Sequence, residues 1–249
     1  IQGLWNSCTS LRNKVSENYE RVDFKSTYGV VPFSIWESED PKYSNPILKH
    51  LKERQGESTR ENTLKSFGGA GEKTAYTATT SYFNPKLCKI IYSSYCPKNG
   101  TIFDPFSSVV RPYMAKLLNY NYVGCEVRKD ECDKIGEILN TNSLFEESDV
   151  RVLNIDCREF ETEQKFDLIF TCPPYWNLET YSEQENDMSS ISNYSDFLTE
   201  MSKVYSKCSS LMHSESYCCF VVADFRDYSE GRKLVNRLVP FVSDMIRCG

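Results

Sequence analysis

From about residue 80 onward the chain alternates short apolar runs with amphipathic stretches, and this alternation restricts its fold more than any other feature. Strand-like apolar runs fall at 101–103, 121–127, 150–155, 166–170 and 217–223. Helical patterns fall at 85–95, 110–119, 129–139, 193–212 and 231–246. In 85–95, Leu87, Ile90 and Ile91 gather on one side, as a helical period requires. Asn99-Gly100 supplies a turn before the first strand. Strands of ~4–8 residues separated by helices build βαβ units, whose right-handed crossovers put helices on both faces of a parallel sheet. The predicted fold class is therefore α/β, a Rossmann-like, mostly parallel sheet.

Residues 1–75 read differently. They are polar and irregular, with one strand-like run (29–36), one helix (45–54) and a glycine-containing polar stretch (55–73) that reads as a loop. Two regions are expected: an N-terminal extension, 1–75, and a larger domain, 76–249. No apolar run approaches the ~18–20 residues needed to span a bilayer, so no membrane partner is predicted. Residues 1–10 show no signal-peptide pattern. The chain begins at Ile1 without an initiator Met, as a fragment would.

The 11 Cys residues include no paired C-x-x-C arrangement, and the only His residues are His50 and His213, so no metal site is expected. Buried reduced thiols are the expectation, in an intracellular (nuclear or cytoplasmic) protein. The formal charge of −6, from 29 basic and 35 acidic residues, argues against a broad grip on phosphates but not against a local basic patch.

In sheets of this class ligands bind at the carboxyl ends of the strands. The residues expected there are Asp104-Pro105-Phe106, Glu126, Asp156, Thr171-Cys172-Pro173-Pro174-Tyr175 and Asp224. Glu126, at the tip of the second strand, can accept both hydroxyls of a ribose; alternatively it pairs with Arg128 or Lys129. Pro173 and Pro174 fix φ twice and donate no backbone hydrogen bond, leaving carbonyls free to accept. Tyr175 adds a flat ring beside them. Such a loop suits a planar exocyclic amine; taken alone, it also reads as a structural turn.

These runs resemble the amino-group DNA methyltransferases of phage and mobile-element type, enzymes that methylate N6 of adenine or N4 of cytosine. FDLIFTCPPY (166–175) is similar to their catalytic motif. YFNPKLCKIIYSSYCPKNGTIFDPF (82–106) is similar to their cofactor helix and Asp-Pro-Phe motif, and NYVGCEVR (121–128) to their ribose-binding strand. The likeness covers about 31–249. It implies a methyltransferase fold with S-adenosylmethionine as cofactor. Asp104, Pro105, Phe106 and the Ser107–Ser108 turn would face the methionine end. Glu126 would hold the ribose, and Asp156 with Cys157 the adenine edge. Phe83 and Thr171 join the cofactor-binding positions.

The resemblance also implies a mechanism. The target base swings out of the duplex, at a cost of a few kcal/mol, and stacks on Tyr175. Cys172 and the Pro173 carbonyl, ahead of Pro174, accept hydrogen bonds from its amine. Adenine N6 is the preferred target. Cytosine N4, an RNA base and a non-catalytic methyltransferase-like subunit are the alternatives. Cys172 as a cytosine-C5 nucleophile fits poorly, because that family places Cys after the proline. Two departures matter. The family has glycines after Asp-Pro-Phe, whereas this chain reads DPFSSVVRP, so either the loop is shaped differently, with Arg111 helping to bind the cofactor carboxylate, or affinity is weakened. Cys172 replaces Asp, Asn or Ser, and a thiol is a weak acceptor.

No room exists between Asp104 and Cys172 for a target-recognition domain. DNA contact is expected from 1–75, from the acidic segment 176–193 acting as a lid or a flexible loop, or from a second chain. This fold class also ends with a β-hairpin after the fifth strand and its helix, and the chain stops at Gly249. A truncation is expected, or else a homodimer or partner subunit that completes the sheet or the DNA recognition.

Overall fold

The computed structural model describes residues 41–55, 82–140, 148–176, 181–182, 184–227 and 237–249. The expected strand at 29–36 lies outside the described residues, as does the expected loop at 55–73 apart from Gln55, which ends a helix. Helix α1 spans Pro41–Gln55 and packs on the next helix, α2 (Pro85–Tyr95). The Asn84 side chain starts α2 by accepting the N–H groups of Lys86 and Leu87 at 2.9 and 3.3 Å, and Pro85 follows where no N–H is needed. Next come β1 (Thr101–Asp104), α3 (Val110–Leu117), β2 (Asn121–Cys125), α4 (Lys129–Asn140), β3 (Val150–Leu153) and β4 (Phe166–Thr171). Asn193 caps α5 (Tyr194–Ser210), and β5 (Met212–Phe220), β6 (Phe225–Asp227), β7 (Arg237–Val239) and α6 (Phe241–Cys248) complete the order.

Five strands form one parallel sheet in the order β3-β2-β1-β4-β5. This is the order of a Rossmann-like doubly wound sheet, which reverses direction beside β1. Alternation along the strands feeds both faces. Phe103 stacks on Phe160 at 5.3 Å and joins Ile169, Phe197, Met201 and Val204 beneath α5. On the α2 side, Tyr92 meets Phe170 edge-on at 5.5 Å. Each such buried side chain contributes about 1.5–3 kcal/mol. No helix among the described residues is long and apolar enough to cross a membrane.

Three elements differ from expectation. β5 starts five residues earlier than predicted, because Met212 pairs with Phe166 before residues 213–216 bulge out and Tyr217 pairs with Leu168. That polar run hid the strand's start. The helix predicted over 231–246 is shorter: 237–239 is a strand, antiparallel to β6, and the helix begins only at Phe241. Pro240 sets that boundary, since proline inside a helix removes a hydrogen bond and clashes with the preceding turn. The β6–β7 pair stands apart from the five-stranded sheet. Cys88, Cys125, Cys157 and Cys208 are buried thiols, but Cys218, expected inside, is exposed, because β5 is the edge strand among the described residues.

Candidate active site at the carboxyl edge of the sheet

The ends of β1 and β4 meet on one carboxylate. Asp104 is fully buried and accepts four hydrogen bonds. Its Oδ1 takes the Phe106 N–H at 3.1 Å and the Thr171 hydroxyl at 2.6 Å. Its Oδ2 takes the Tyr122 hydroxyl at 2.5 Å and Arg111 Nε at 2.6 Å. Arg111 also donates to the Phe106 carbonyl and lies 5.1 Å from the centre of the Phe83 ring, which in turn meets Phe170 edge-on. Burial works against the Arg111 charge, but the Asp104 carboxylate beside it holds the guanidinium firmly ionised. Burial and then Asp104 keep the Tyr122 phenol protonated, so it donates to Asp104, and the Ser107 hydroxyl donates to Tyr122 at 3.0 Å.

This corrects one expectation. Asp104 does not present an open carboxylate to a ligand; its lone pairs serve the loop that follows it. With no glycine in DPFSSVVRP, an internal ion pair shapes that loop, and the glycine needed for close approach sits on β2. A Cβ on Gly124 would lie 2.6 Å from Ser107 Oγ, 2.7 Å from Ser107 Cβ and 2.8 Å from a Tyr122 ring carbon. Ser107 N–H is therefore free to reach the Cys125 carbonyl at 2.8 Å. Gly124→Ala is expected to cost about 1–3 kcal/mol by overpacking, and adding Ser107→Gly to restore part of it, as thermal denaturation of the single and double variants would show. Pro105 turns the loop, Phe106 leans half-buried on the core, and Ser108 is half-buried beside the buried Ser107.

Glu126, just beyond β2, is buried. Its Oε1 accepts the Arg128 N–H at 2.8 Å, with Arg128 Nε at 3.4 Å. The pairing with Arg128 thus occurs, whereas Lys129 bonds Asp133 instead. Among the described residues no donor reaches Glu126 Oε2. Burial pushes this carboxyl up to about 7, with Arg128 only partly opposing it. Asn154 ties the end of β3 to this loop by donating to the carbonyls of Glu126 and Val127 at 3.0 and 2.9 Å.

Asp156 repeats the design. Its Oδ1 accepts Arg158 N–H at 2.9 Å and Arg158 Nε at 3.0 Å, and Arg158 Nη2 reaches Oδ2. Arg158 also holds Glu200 on α5 and the Asn186 carbonyl. Asp156 is therefore paired rather than open, and the Cys157 side chain turns into the core with Phe160. A surface depression of about 560 Å³ opens between Asp156, Arg158, Glu185, Asn186 and Glu200. Asp224, expected at a strand end, lies beyond β5 and accepts the Val242 N–H at 2.9 Å at the start of α6, because β5 stops at Phe220.

The loop after β4 carries the expected catalytic residues. Cys172 is half-buried near Arg111, and Pro173 and Pro174 are buried. Among the described residues no hydrogen bond reaches the Pro173 carbonyl. Tyr175 packs against Phe241 at 5.1 Å and Phe225 at 6.0 Å. The structure thus brings Phe83, Asp104, Phe106, Ser107, Arg111 and Thr171 into one cluster, with Glu126 and Asp156 as separate acid–arginine stations farther along the same edge.

Sequence reasoning missed Tyr122, Gly124, Arg158 and Asp187. An acid followed two residues later by arginine, at both 126–128 and 156–158, was the available signal for Arg158. Asp187 had none: it accepts Ser182 Oγ, Ser189 N–H and Ser189 Oγ at 2.7, 2.9 and 2.6 Å, and only folding assembles that turn.

No protein-family model matches this chain. No curated protein matches it either. Partial likenesses exist among solved structures. TrmN from Thermus thermophilus is 14% identical over 55% of this chain and 37% of its own, with a TM-score of 0.41. The N-methyltransferase NodS from Bradyrhizobium japonicum WM9 is 15% identical over 55% and 65%, at 0.37. An S-adenosylmethionine-dependent methyltransferase from Clostridium acetobutylicum ATCC 824 is 10% identical over 75% and 58%, at 0.39. The chain thus spans less than two thirds of each of these structures.

Proposed function

We propose that this chain is an S-adenosylmethionine-dependent methyltransferase acting on the exocyclic amine of a DNA base, adenine N6 in first place. The observation that carries the reading is Glu126. It is a buried carboxylate at the tip of β2, held through one oxygen, with the other oxygen open to a donor. That free acceptor fits one side of a ribose diol, whose hydroxyls would donate to it. The fit at the methionine end is through Arg111, whose Nη1 has no described partner, and not through Asp104. The cofactor would supply an activated methyl group at this edge.

The chain's own residues would do the rest. Tyr175, braced by Phe225 and Phe241, offers a ring face to a planar base. The Pro173 carbonyl accepts a hydrogen bond from the target amine and so draws its lone pair out of conjugation. The thiol of Cys172 is a weak second acceptor, so the carbonyl carries more of the load. Catalysis of this kind rests on positioning and preorganised dipoles.

A second reading, a non-catalytic methyltransferase-like subunit, is favoured by one specific observation: Asp104 and Asp156 are both satisfied within the protein. Transfer of labelled methyl groups to DNA containing adenine or cytosine as the only amine-bearing base, with matched RNA as competitor, tests both. Transfer to adenine-bearing DNA is expected. Calorimetric binding of the cofactor without transfer to any substrate would favour the second reading.

A further inference from the structure

Trp176, the residue after Tyr175, carries two unfavourable features at once. Its φ is +49°, in the left-handed region that bulky side chains rarely adopt. Its indole is only 8% exposed, and Nε1–H is buried with no acceptor among the described residues. Backbone strain of this kind persists only where the surrounding structure enforces it, and it gathers at working sites. A buried donor without a partner is equally uncommon and calls for a cause. Here the enforcing elements are identifiable. Pro173 and Pro174 restrict the approach, Tyr175 is laid on Phe225 and Phe241, and the indole packs on Tyr194 at 5.0 Å. Tyr194 is itself fixed by its hydroxyl, which donates to Asp244 at 2.9 Å. Either cost alone could be incidental. Both fall on a single residue, one step from the ring expected to meet the substrate.

We propose that the Trp176 indole N–H is kept in reserve for the substrate, and donates to the ring nitrogen adjacent to the target amine once the base enters the loop. The proposal rests on the methyltransferase reading above. Its chemistry adds a specificity that Tyr175 and Pro173 do not supply. A ring stacks on any base, and a carbonyl accepts from any amine. A lone N–H donor requires an acceptor. Adenine N1 and cytosine N3 are acceptors beside their amines, whereas guanine and thymine seated in the same orientation present N1–H and N3–H there and would leave two donors facing each other. Such mismatched polar pairs are discriminated more strongly than differences of shape. Trp176 would therefore favour adenine and cytosine over guanine and thymine held in that orientation.

The test uses the full chain saturated with S-adenosylhomocysteine. Its three tryptophans (Trp5, Trp36 and Trp176) give three indole N–H resonances, and Trp176→Phe identifies the third. Adding a single-stranded DNA oligonucleotide with one adenine is expected to move that proton downfield. The same oligonucleotide with 1-deazaadenine, which keeps the amine and the ring but lacks the N1 acceptor, is expected to leave it in place. In methyl transfer with S-adenosylmethionine, Trp176→Phe should lower kcat/KM on adenine about tenfold, the size of one neutral hydrogen bond, and leave the rate on 1-deazaadenine unchanged. Equal losses on both substrates mean a structural role and overturn the proposal, as does an unmoved indole. A wild-type chain that methylates adenine normally while Trp176→Phe matches it defeats the inference alone. A wild-type chain inert on every oligonucleotide defeats the methyltransferase reading beneath it.

Discussion

Asp104→Ala is expected to remove about 3–5 kcal/mol of stability. The carboxylate is fully buried and satisfies four donors from four different places: the Phe106 backbone, Thr171 at the end of β4, Tyr122 on β2 and Arg111 on α3. Its removal leaves the Arg111 charge without a counter-ion in a site where only 3% of that side chain reaches solvent. Breaking one half of a buried ion pair is far more damaging than the pair itself is stabilising. Against a total of about 5–15 kcal/mol for a typical domain, that is a large fraction. Urea denaturation monitored by circular dichroism checks it. Asp104→Asn should lie in between, because Oδ1 survives while the amide turns a donor toward Arg111. A loss below about 1 kcal/mol for the alanine variant would show that the loop is held by something other than this pair.

The second large effect is at Glu126. If it accepts ribose hydroxyls, Glu126→Gln should weaken S-adenosylhomocysteine binding by about 10- to 100-fold, the scale of one or two charge-assisted hydrogen bonds. The pH dependence carries a sign. Burial lifts this carboxyl from its ordinary 4.5 to about 7. Hydroxyl donors favour the ionised form, so affinity should rise as pH rises from 6 to 8, by about tenfold, and level off above. Stability runs the other way. The folded state holds a proton that the unfolded chain has released, so this group's contribution is fully present below about pH 4.5 and is lost as pH rises through about 7. Glu126→Gln should therefore raise the melting temperature at pH 8 while it abolishes the pH dependence of binding. Isothermal calorimetry and thermal scans at pH 6 and 8 test both. A pH-independent wild-type affinity would remove Glu126 from the ligand contacts.

The same stations explain how the strand-end acidity is spent. The acids at 104, 126 and 156 look from the sequence like open carboxylates awaiting a ligand. Each one instead accepts the backbone N–H two residues on and an arginine: Arg111, Arg128 and Arg158 respectively. Each of the three acids is therefore matched by an arginine, and among them only Glu126 keeps an oxygen without a described donor. The net charge of −6 is no guide to the field at this edge.

The order of the five sheet strands and the helices between them, their approximate bounds and the placement of 104–108, 126, 156 and 171–175 at the strand ends are legible in the sequence, because period, caps and turns are local properties. Asn84-Pro85 and Asn99-Gly100 state their own conformations. Partnerships are not local. Tyr122 lies 18 positions from Asp104 and Thr171 lies 67, and no spacing rule joins them. The glycine that the loop after β1 lacks stands on the neighbouring strand at 124, where only the β1–β2 register, Asp104 opposite Gly124, reveals its use. Whether an acid is open or already satisfied, and whether Trp176 N–H has an acceptor, depend on groups that meet only when the sheet closes. The sequence alone determined which residues reach the carboxyl edge, since the alternation of elements allows little else. Tertiary structure decided what each of them is free to bind, because hydrogen-bond capacity is finite and the fold's own long-range contacts claim it first.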